Sequence, residues 1–232
     1  MKRKALLIGN TNGLQGVKLD IEKTSAFLKS PQGGTWYLSE LEIFQNPEKA
    51  SLLARVEELK RQSLDYVFVL FSGHGGHKRQ TILELNAKGD TIQESQLHKI
   101  ADRQLNIYDC CRVVVQEQIK RSAAMESLTA SFAESASNAR RRYEQRIMQA
   151  IPQQIQLYSC AINQYSYDGP NGALYLNNLL SAARAIEDEF KTVGNAHEVA
   201  RTATIKEKPT QTPEAILPKC LISQQLIISM KA

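Results

Sequence analysis

The chain has 232 residues, a length that fits one α/β domain or one such domain with a long insertion. Hydrophobic residues make up 42% of it and charged residues 23%, which excludes a collagenous, low-complexity or wholly disordered chain. The 29 basic and 24 acidic residues leave a net charge of +5, too small for a dedicated nucleic-acid-binding protein.

The cysteines and the apolar runs indicate the compartment. The 4 cysteines include no C-x-x-C pair, so they suggest neither a zinc ribbon nor a disulfide framework. The apolar run at the N-terminus is shorter than that of a secretory signal, which spans roughly 7–15 residues. No stretch approaches the ~20 apolar residues of a membrane span. We therefore expect a cytoplasmic protein with free thiols, and neither a membrane nor a nucleic acid as its partner.

Apolar runs and helical periodicities alternate along the first half of the chain. The run at 4–9 ends in a turn and predicts a buried strand, followed by a helix over 17–30. A weaker strand at 36–44 precedes a second helix. The run DYVFVLF at 65–71 is the strongest strand signal in the chain, and it ends abruptly in SGHGG.

The second half continues this alternation around one unusual segment. A hairpin and a short helix lead to a strand at 104–111, which reads QLNIYDCC. The segment from 113 to 150 has no Gly or Pro, and we interpret it as an insertion that is helical or partly disordered. Beyond it the pattern predicts a strand at 154–160, a helix at 172–190, a polar loop at 202–214 and a final apolar run at 216–230.

This order of elements places a few polar residues where a site is expected. Alternating strands and helices predict a parallel sheet with helices on both faces, and such sheets bind ligands beyond the carboxyl ends of their strands. His74 follows the strongest strand, and Asp109 and Cys111 end another. Asp20 lies near the start of the helix after the first strand. These four residues are the candidate site.

The candidate residues suit nucleophilic catalysis by a thiol. Side chains alternate between the faces of a strand, so Cys111 shares a face with Asp109 while Cys110 points the other way. A thiol nucleophile needs a partner that moves protons, which His74 on a neighbouring strand end would supply. The glycines beside His74 leave backbone N–H groups uncovered, as an oxyanion site requires.

Together these motifs resemble the caspase-like cysteine peptidases of clan CD (peptidase family C14), most closely their metacaspase and prokaryotic orthocaspase branch. SGHGG at 72–76 is similar to the family's catalytic histidine loop, and DCCR at 109–112 to its D-x-C catalytic turn. The resemblance implies a three-layer α/β/α sandwich with a mostly parallel central sheet of about six strands. It also implies one peptidase domain, with a large-subunit-like part at 1–111, a helical or mobile insertion at 112–151 and a small-subunit-like part at 152–232.

The resemblance also implies a role for each candidate residue. Cys111 would be the nucleophile, and His74 would activate it and protonate the leaving amine. The N–H groups of Gly75 and Cys111 would bind the oxyanion. Asp20 and Asp109 would line the pocket for the residue before the scissile bond, where two carboxylates select Arg or Lys. No cofactor or metal is implied, because the acidic cluster with which several metacaspases bind calcium is not evident downstream.

The implied function is a cysteine endopeptidase that cleaves proteins after Arg or Lys in a regulatory or bacterial defence role. Its substrate would be a gasdermin-like or other effector protein. The alternative is a catalytically silent caspase-like module that binds a partner or a signal. We also expect autoprocessing within 120–146, for which the candidate sites are Arg140, Arg141, Arg142 and Arg146. A solvated helical face and a nucleic-acid contact are the other interpretations of this arginine run.

Overall fold

The computed structural model describes residues 1–114 and 136–231. Within these ranges the helices are α1 (Val17–Lys29), α2 (Lys49–Lys60), α3 (Ala136–Gln149), α4 (Leu174–Arg184) and α5 (Val193–Glu207). The strands are β1 (Arg3–Gly9), β2 (Leu41–Gln45), β3 (Leu64–Ser72), β4 (Gly75–His77), β5 (Thr81–Glu84), β6 (Thr91–Gln93), β7 (Ala101–Asp109), β8 (Gln153–Tyr158), β9 (Asp168–Gly169), β10 (Gly172–Ala173), β11 (Phe190–Thr192), β12 (Glu214–Ile216) and β13 (Ile227–Met230). Among the described residues, none of the helices combines the length and the hydrophobicity that a membrane span requires.

A six-stranded sheet forms the centre of the described structure. Its spatial order is β12-β8-β7-β3-β1-β2. The neighbouring pairs run parallel, except that the edge strand β12 runs antiparallel to β8. The predicted mostly parallel sheet of about six strands is confirmed.

Alternate residues of each central strand pack on opposite faces, which produces three layers. In β3, Phe68 and Leu70 join a core with α1, α3, α4 and α5, whereas Val67 and Val69 join a core with α2. The small sheet β4-β5-β6 covers the α2 side. Each of these four side chains is at most 2% exposed, and such burial contributes about 1.5–3 kcal/mol per side chain to folding.

The predicted insertion was expected to be helical or partly disordered, and its C-terminal end is the helix α3. Its Tyr143 and Ile147 are fully buried in the core beneath the sheet. Arg140 forms an ion pair with Glu40, with 2.6 Å between Nη2 and Oε1. Over 136–149 the segment is therefore a packed helix, while residues 115–135 of the predicted insertion lie outside the described part.

Some predicted boundaries are wrong. The strand predicted at 104–111 begins at Ala101 and ends at Asp109, so Cys111 lies beyond it. Residues 202–207 belong to α5 although they were predicted as loop. The buried residues of α5 form only a narrow apolar stripe, so polar residues dominate the sequence of this helix. The Thr192 side chain caps its N-terminus by accepting a hydrogen bond from Asn195 N. Only the end of the apolar run predicted at 216–230 forms β13, which pairs antiparallel with β11.

Candidate active site

The ends of two adjacent strands bring the candidate residues together. In β3 and β7, which run parallel, Ser72 pairs with Asp109 in the register. His74 and Cys111 follow their strands at the same distance, and both line one cavity with a volume of about 40 Å³. The structure thus places the predicted histidine and cysteine at one site.

The loop after β1 orients His74. Asn12 N donates a hydrogen bond to Asn10 Oδ1, and this turn directs the Asn12 carbonyl oxygen at the imidazole. His74 Nε2 donates to that oxygen, which leaves Nδ1 as the basic nitrogen. Sequence analysis missed Asn12 because its contribution is a backbone carbonyl, which any residue type supplies.

A short backbone pairing holds Cys111 beside the loop that follows β8. Arg112 N donates to Gln164 O over 3.0 Å, and Asn163 N donates to Arg112 O over 2.9 Å. The Cys111 thiol is half-buried, with Sγ 3.8 Å from Ser166 O. Burial raises the pKa of this thiol, so it is protonated at neutral pH and needs a base to become a nucleophile.

The vicinal Cys110 differs from Cys111. It is 1% exposed and packs in the core on the α2 side of the sheet. Burial raises its pKa well above that of an exposed thiol. A buried neutral thiol of this kind is inert, so the structure supports the register that assigns the reactive position to Cys111.

Gly75 presents its backbone to the same segment. Glu84 N donates to His74 O, so His74 and Glu84 form a hydrogen-bonded pair of the antiparallel ladder. Such pairs alternate with non-hydrogen-bonded pairs, and the next pair is Gly75 with Leu83. The Gly75 N–H therefore points away from β5. On the edge of β4 that faces away from β5, two residues after Gly75, His77 N donates to Val113 O. A Cβ on Gly75 would lie 2.7 Å from Cys110 Sγ, so only glycine allows this approach.

Two buried carboxylates lie behind the cysteine and the histidine. Asp109 accepts hydrogen bonds from Ser166 Oγ (2.7 Å) and Leu176 N (3.1 Å). Asp20 accepts from Ser72 Oγ (2.7 Å) and Ala173 N (2.9 Å). These neutral donors satisfy the oxygens but leave the charges uncompensated.

The pKa values of the two carboxyl groups reflect this environment. Burial, with the nearby Asp20 acting in the same direction, raises the pKa of Asp109 to about 7. Burial raises the pKa of Asp20 to about 6. The empty site therefore stabilises the neutral form of both groups relative to water, and a cation between them would oppose that effect.

A third carboxylate, Asp168, was missed by sequence analysis. It lines the cavity together with His74 and Cys111. Its Oδ2 accepts a hydrogen bond from Gly16 N (3.3 Å), whereas its Oδ1 is buried and has no partner among the described residues. Burial raises the pKa of Asp168, and the nearby His74 opposes that shift. The sequence feature that could have indicated Asp168 was an acidic residue in the connection that follows a buried strand.

The candidate cleavage sites lie on α3, away from this cavity. Besides its bond to Glu40, Arg140 is 2.9 Å from Glu144, and Arg142 is 3.3 Å from Glu189. Arg146 is 7% exposed and Arg141 is exposed. Proteases bind extended chain, so cleavage at these arginines requires α3 to unwind locally.

The described residues hold no obvious metal site. Within 1–114 and 136–231, no group of three or more His, Cys, Asp or Glu side chains is arranged to hold a metal ion.

Comparison with known proteins agrees with the fold. The family model described as the caspase domain of peptidase C14 matches residues 2–216, so this chain belongs to the caspase-domain family. The structure of caspase-1 from Spodoptera frugiperda is 13% identical with a TM-score of 0.61, over 93% of this chain and 86% of that one. A Geobacter sulfurreducens protein is 16% identical with a TM-score of 0.58, over 93% of both chains. No match was found among curated proteins.

Family membership confirms the resemblance seen in the sequence at the level of the caspase-like fold. It indicates a protease-type function acting on protein substrates. At this identity the two solved structures show the fold alone. The metacaspase and orthocaspase branch stays a prediction.

Proposed function

We propose that this protein is a cysteine endopeptidase that cleaves protein substrates after Arg or Lys. The observation that carries the proposal is the set of three carboxylates at the cavity of Cys111 and His74. Asp109 and Asp168 line this cavity, and Asp20 lies behind it, hydrogen-bonded to the lining residues Ser72 and Ala173. None of the three forms an ion pair among the described residues, so a substrate cation would supply the missing positive charge.

The reaction would proceed through an acyl-enzyme. His74 Nδ1 takes the thiol proton while Cys111 Sγ attacks the scissile carbonyl carbon, and the N–H groups of Gly75 and Cys111 stabilise the oxyanion. His74 then gives the proton to the leaving amine as the C–N bond breaks. A water molecule, deprotonated by His74, attacks the thioester and releases the carboxylate product, and the thiol regains its proton.

The cavity must enlarge to admit a basic side chain. Its volume of about 40 Å³ holds only a few water molecules. The carboxylates on its far side are carried by α1 and β7, which are buried core elements. Asp168 lies on the short strand β9, in the connection between β8 and α4, so we assign the opening movement to this connection.

The deciding test is hydrolysis of fluorogenic peptides that end in Arg, Lys or Asp before the reporter. We expect turnover of the Arg and Lys peptides, none of the Asp peptide, and no activity from Cys111→Ala. Efficient turnover of the Asp peptide would contradict the specificity. A folded wild-type chain that neither hydrolyses any peptide nor reacts with an Arg-based thiol electrophile would favour the silent module.

The carboxyl groups should control the pH dependence of specificity. Asp20 and Asp109, whose pKa values are about 6 and about 7, are neutral at low pH and cannot attract a cation. We therefore expect kcat/KM for an Arg peptide to rise as the pH increases through 6 and 7, because kcat/KM reports groups of the free enzyme. Initial rates from pH 5 to 8 at constant ionic strength measure this. A flat profile would contradict the assignment.

We further propose autoprocessing within residues 120–146. Because Glu40 anchors Arg140, Glu40→Gln should loosen the N-terminal part of α3 and increase cleavage after the arginine run. Glu42→Gln is the matched control, since Glu42 pairs with Arg55 and Lys4 instead. Mass spectrometry of the wild type beside Cys111→Ala identifies the cut. An intact wild-type chain that hydrolyses peptides would show that activity needs no cut.

We assign the protein to the prokaryotic metacaspase and orthocaspase branch, with a regulatory or defence role in the cytoplasm. Its four cysteines are unpaired, which suits a reducing compartment. The substrate would be a gasdermin-like or other effector protein with an accessible Arg or Lys. Incubation of such an effector with the wild type and with Cys111→Ala, followed by sequencing of the new N-termini, tests this. A cut that follows a residue other than Arg or Lys would contradict it.

A further inference from the structure

A second cavity lies between α3, β11, β13 and the loop before β13. Its volume is about 280 Å³, and none of the residues that line it belongs to the candidate active site. Polar side chains from α3 form one wall, and Phe190 and Met230 form an apolar wall. The cavity is large enough for a small organic molecule.

Arg146 is the unusual residue of this cavity. It is 7% exposed, and its guanidinium lies 4.4 Å from the centre of the Phe190 ring. Nη2 donates to the Ile222 carbonyl oxygen over 3.2 Å, but Nη1 is buried and has no partner among the described residues. No carboxylate in the described part of the chain forms an ion pair with it.

A buried guanidinium without a counter-ion is costly, because removal of a charge from water carries a penalty that only a partner offsets. Burial accordingly lowers the pKa of Arg146. Neighbouring groups do not neutralise it. Glu189, on the same cavity, lies 3.3 Å from Arg142 and is paired with that second arginine. The described residues that line the cavity therefore carry two guanidinium groups and one carboxylate, an excess of one positive charge.

We propose that this cavity binds a small organic anion through a carboxylate or phosphate group. The anionic group would accept hydrogen bonds from the guanidinium of Arg146, with Arg142 at the rim as a second donor. The organic part would pack against Phe190 and Met230. The site lies apart from the peptidase centre and does not depend on the proposed function.

Such a ligand would act on the helix that carries the arginine run. Arg142 and Arg146 project from α3, so an anion held by both would tie the helix to β11 and β13. Opening of α3 would then require the ligand to dissociate. Occupancy is therefore expected to slow hydrogen exchange in the backbone amides of residues 138–149.

The test uses the full chain carrying Cys111→Ala, so that no result depends on peptidase activity. Thermal unfolding is followed with inorganic phosphate, phenyl phosphate or benzoate, each compared with sodium chloride at equal ionic strength. At ten times the Kd of the best probe we expect Tm to rise by about 3–5 °C. Hydrogen exchange with and without that probe reports on α3.

Two variants test whether the stabilisation by the probe arises from binding at Arg146. Arg146→Gln removes the buried charge and should lower the affinity for the probe at least tenfold, while the Tm without ligand stays the same or rises. Arg141→Gln is the matched control, because Arg141 is an exposed arginine on the same helix, and it should respond like its parent. A parent chain that none of the three probes stabilises beyond the chloride control would overturn the proposal. An equal response of the parent and Arg146→Gln would also overturn it.

Discussion

Cys111→Ala is expected to abolish peptide hydrolysis, with kcat lowered at least about 10³-fold, and His74→Ala should have an effect of similar size. The physical reason is that the two residues act as one unit. The half-buried thiol is protonated at neutral pH because burial raises its pKa, so attack requires a base at the same cavity. Kinetics with an Arg peptide and circular dichroism of each variant measure activity and folding.

Cys110→Ala is the matched control for this result. The thiol of Cys110 is buried on the other face of the sheet, and its removal leaves only a small cavity, which destabilises the fold modestly. We expect this variant to keep most of its activity. If folded Cys110→Ala were as inactive as Cys111→Ala, the assignment of the nucleophile would be wrong.

Asp109→Asn is expected to lower kcat/KM for Arg peptides by a factor on the order of 10² or more, since it removes one partner of a desolvated charge pair. Asn retains an oxygen for the Leu176 N–H and an amide group for Ser166, so the shape of the site is kept. Hydrolysis of Arg peptides by each variant measures the loss. Asp102→Asn, on the exposed start of the same strand, should have no effect.

Asp109→Asn is also expected to stabilise the empty protein at pH 8. The pKa of Asp109 is about 7 in the folded state, against about 3.9 in an unfolded chain. Between these values the folded state holds more protons, so the free energy of unfolding falls as the pH rises through that window. Asn does not ionise and avoids this loss, which is on the order of 4 kcal/mol.

Thermal unfolding from pH 4 to 8 measures this stabilisation. The difference in Tm between Asp109→Asn and the wild type should be small near pH 4 and should grow towards pH 8. Unchanged Tm values at pH 8 would mean that Asp109 has a charge partner in the folded chain. Unpaired buried carboxylates that bind a cationic substrate destabilise the protein when the site is empty. We therefore expect Asp109→Asn to gain stability and to lose activity.

Much of the fold could be predicted because its signals are local. The runs of buried strands such as β1 and β3 are apolar on both faces, as central parallel strands must be, so they stand out against the polar helix surfaces. Strand alternation also put Asp109 and Cys111 on one side and Cys110 on the other, although Cys111 itself lies past the end of β7. Where surface polarity masked a narrow apolar stripe, as in α5, the prediction was wrong.

The order of the elements and the residue types of the candidate site follow from the amino-acid sequence, which identifies His74, Cys111, Asp20 and Asp109. The surroundings of these residues depend on the tertiary structure. The register of β3 against β7 sets the two strand ends side by side. The backbone carbonyl of Asn12 orients the imidazole, and the loop after β8 brings Asp168 to residues far away in the chain. Hydrophobic periodicity records which face of an element is buried, but contacts between distant loops and backbone atoms leave no such pattern, so packing alone defines them.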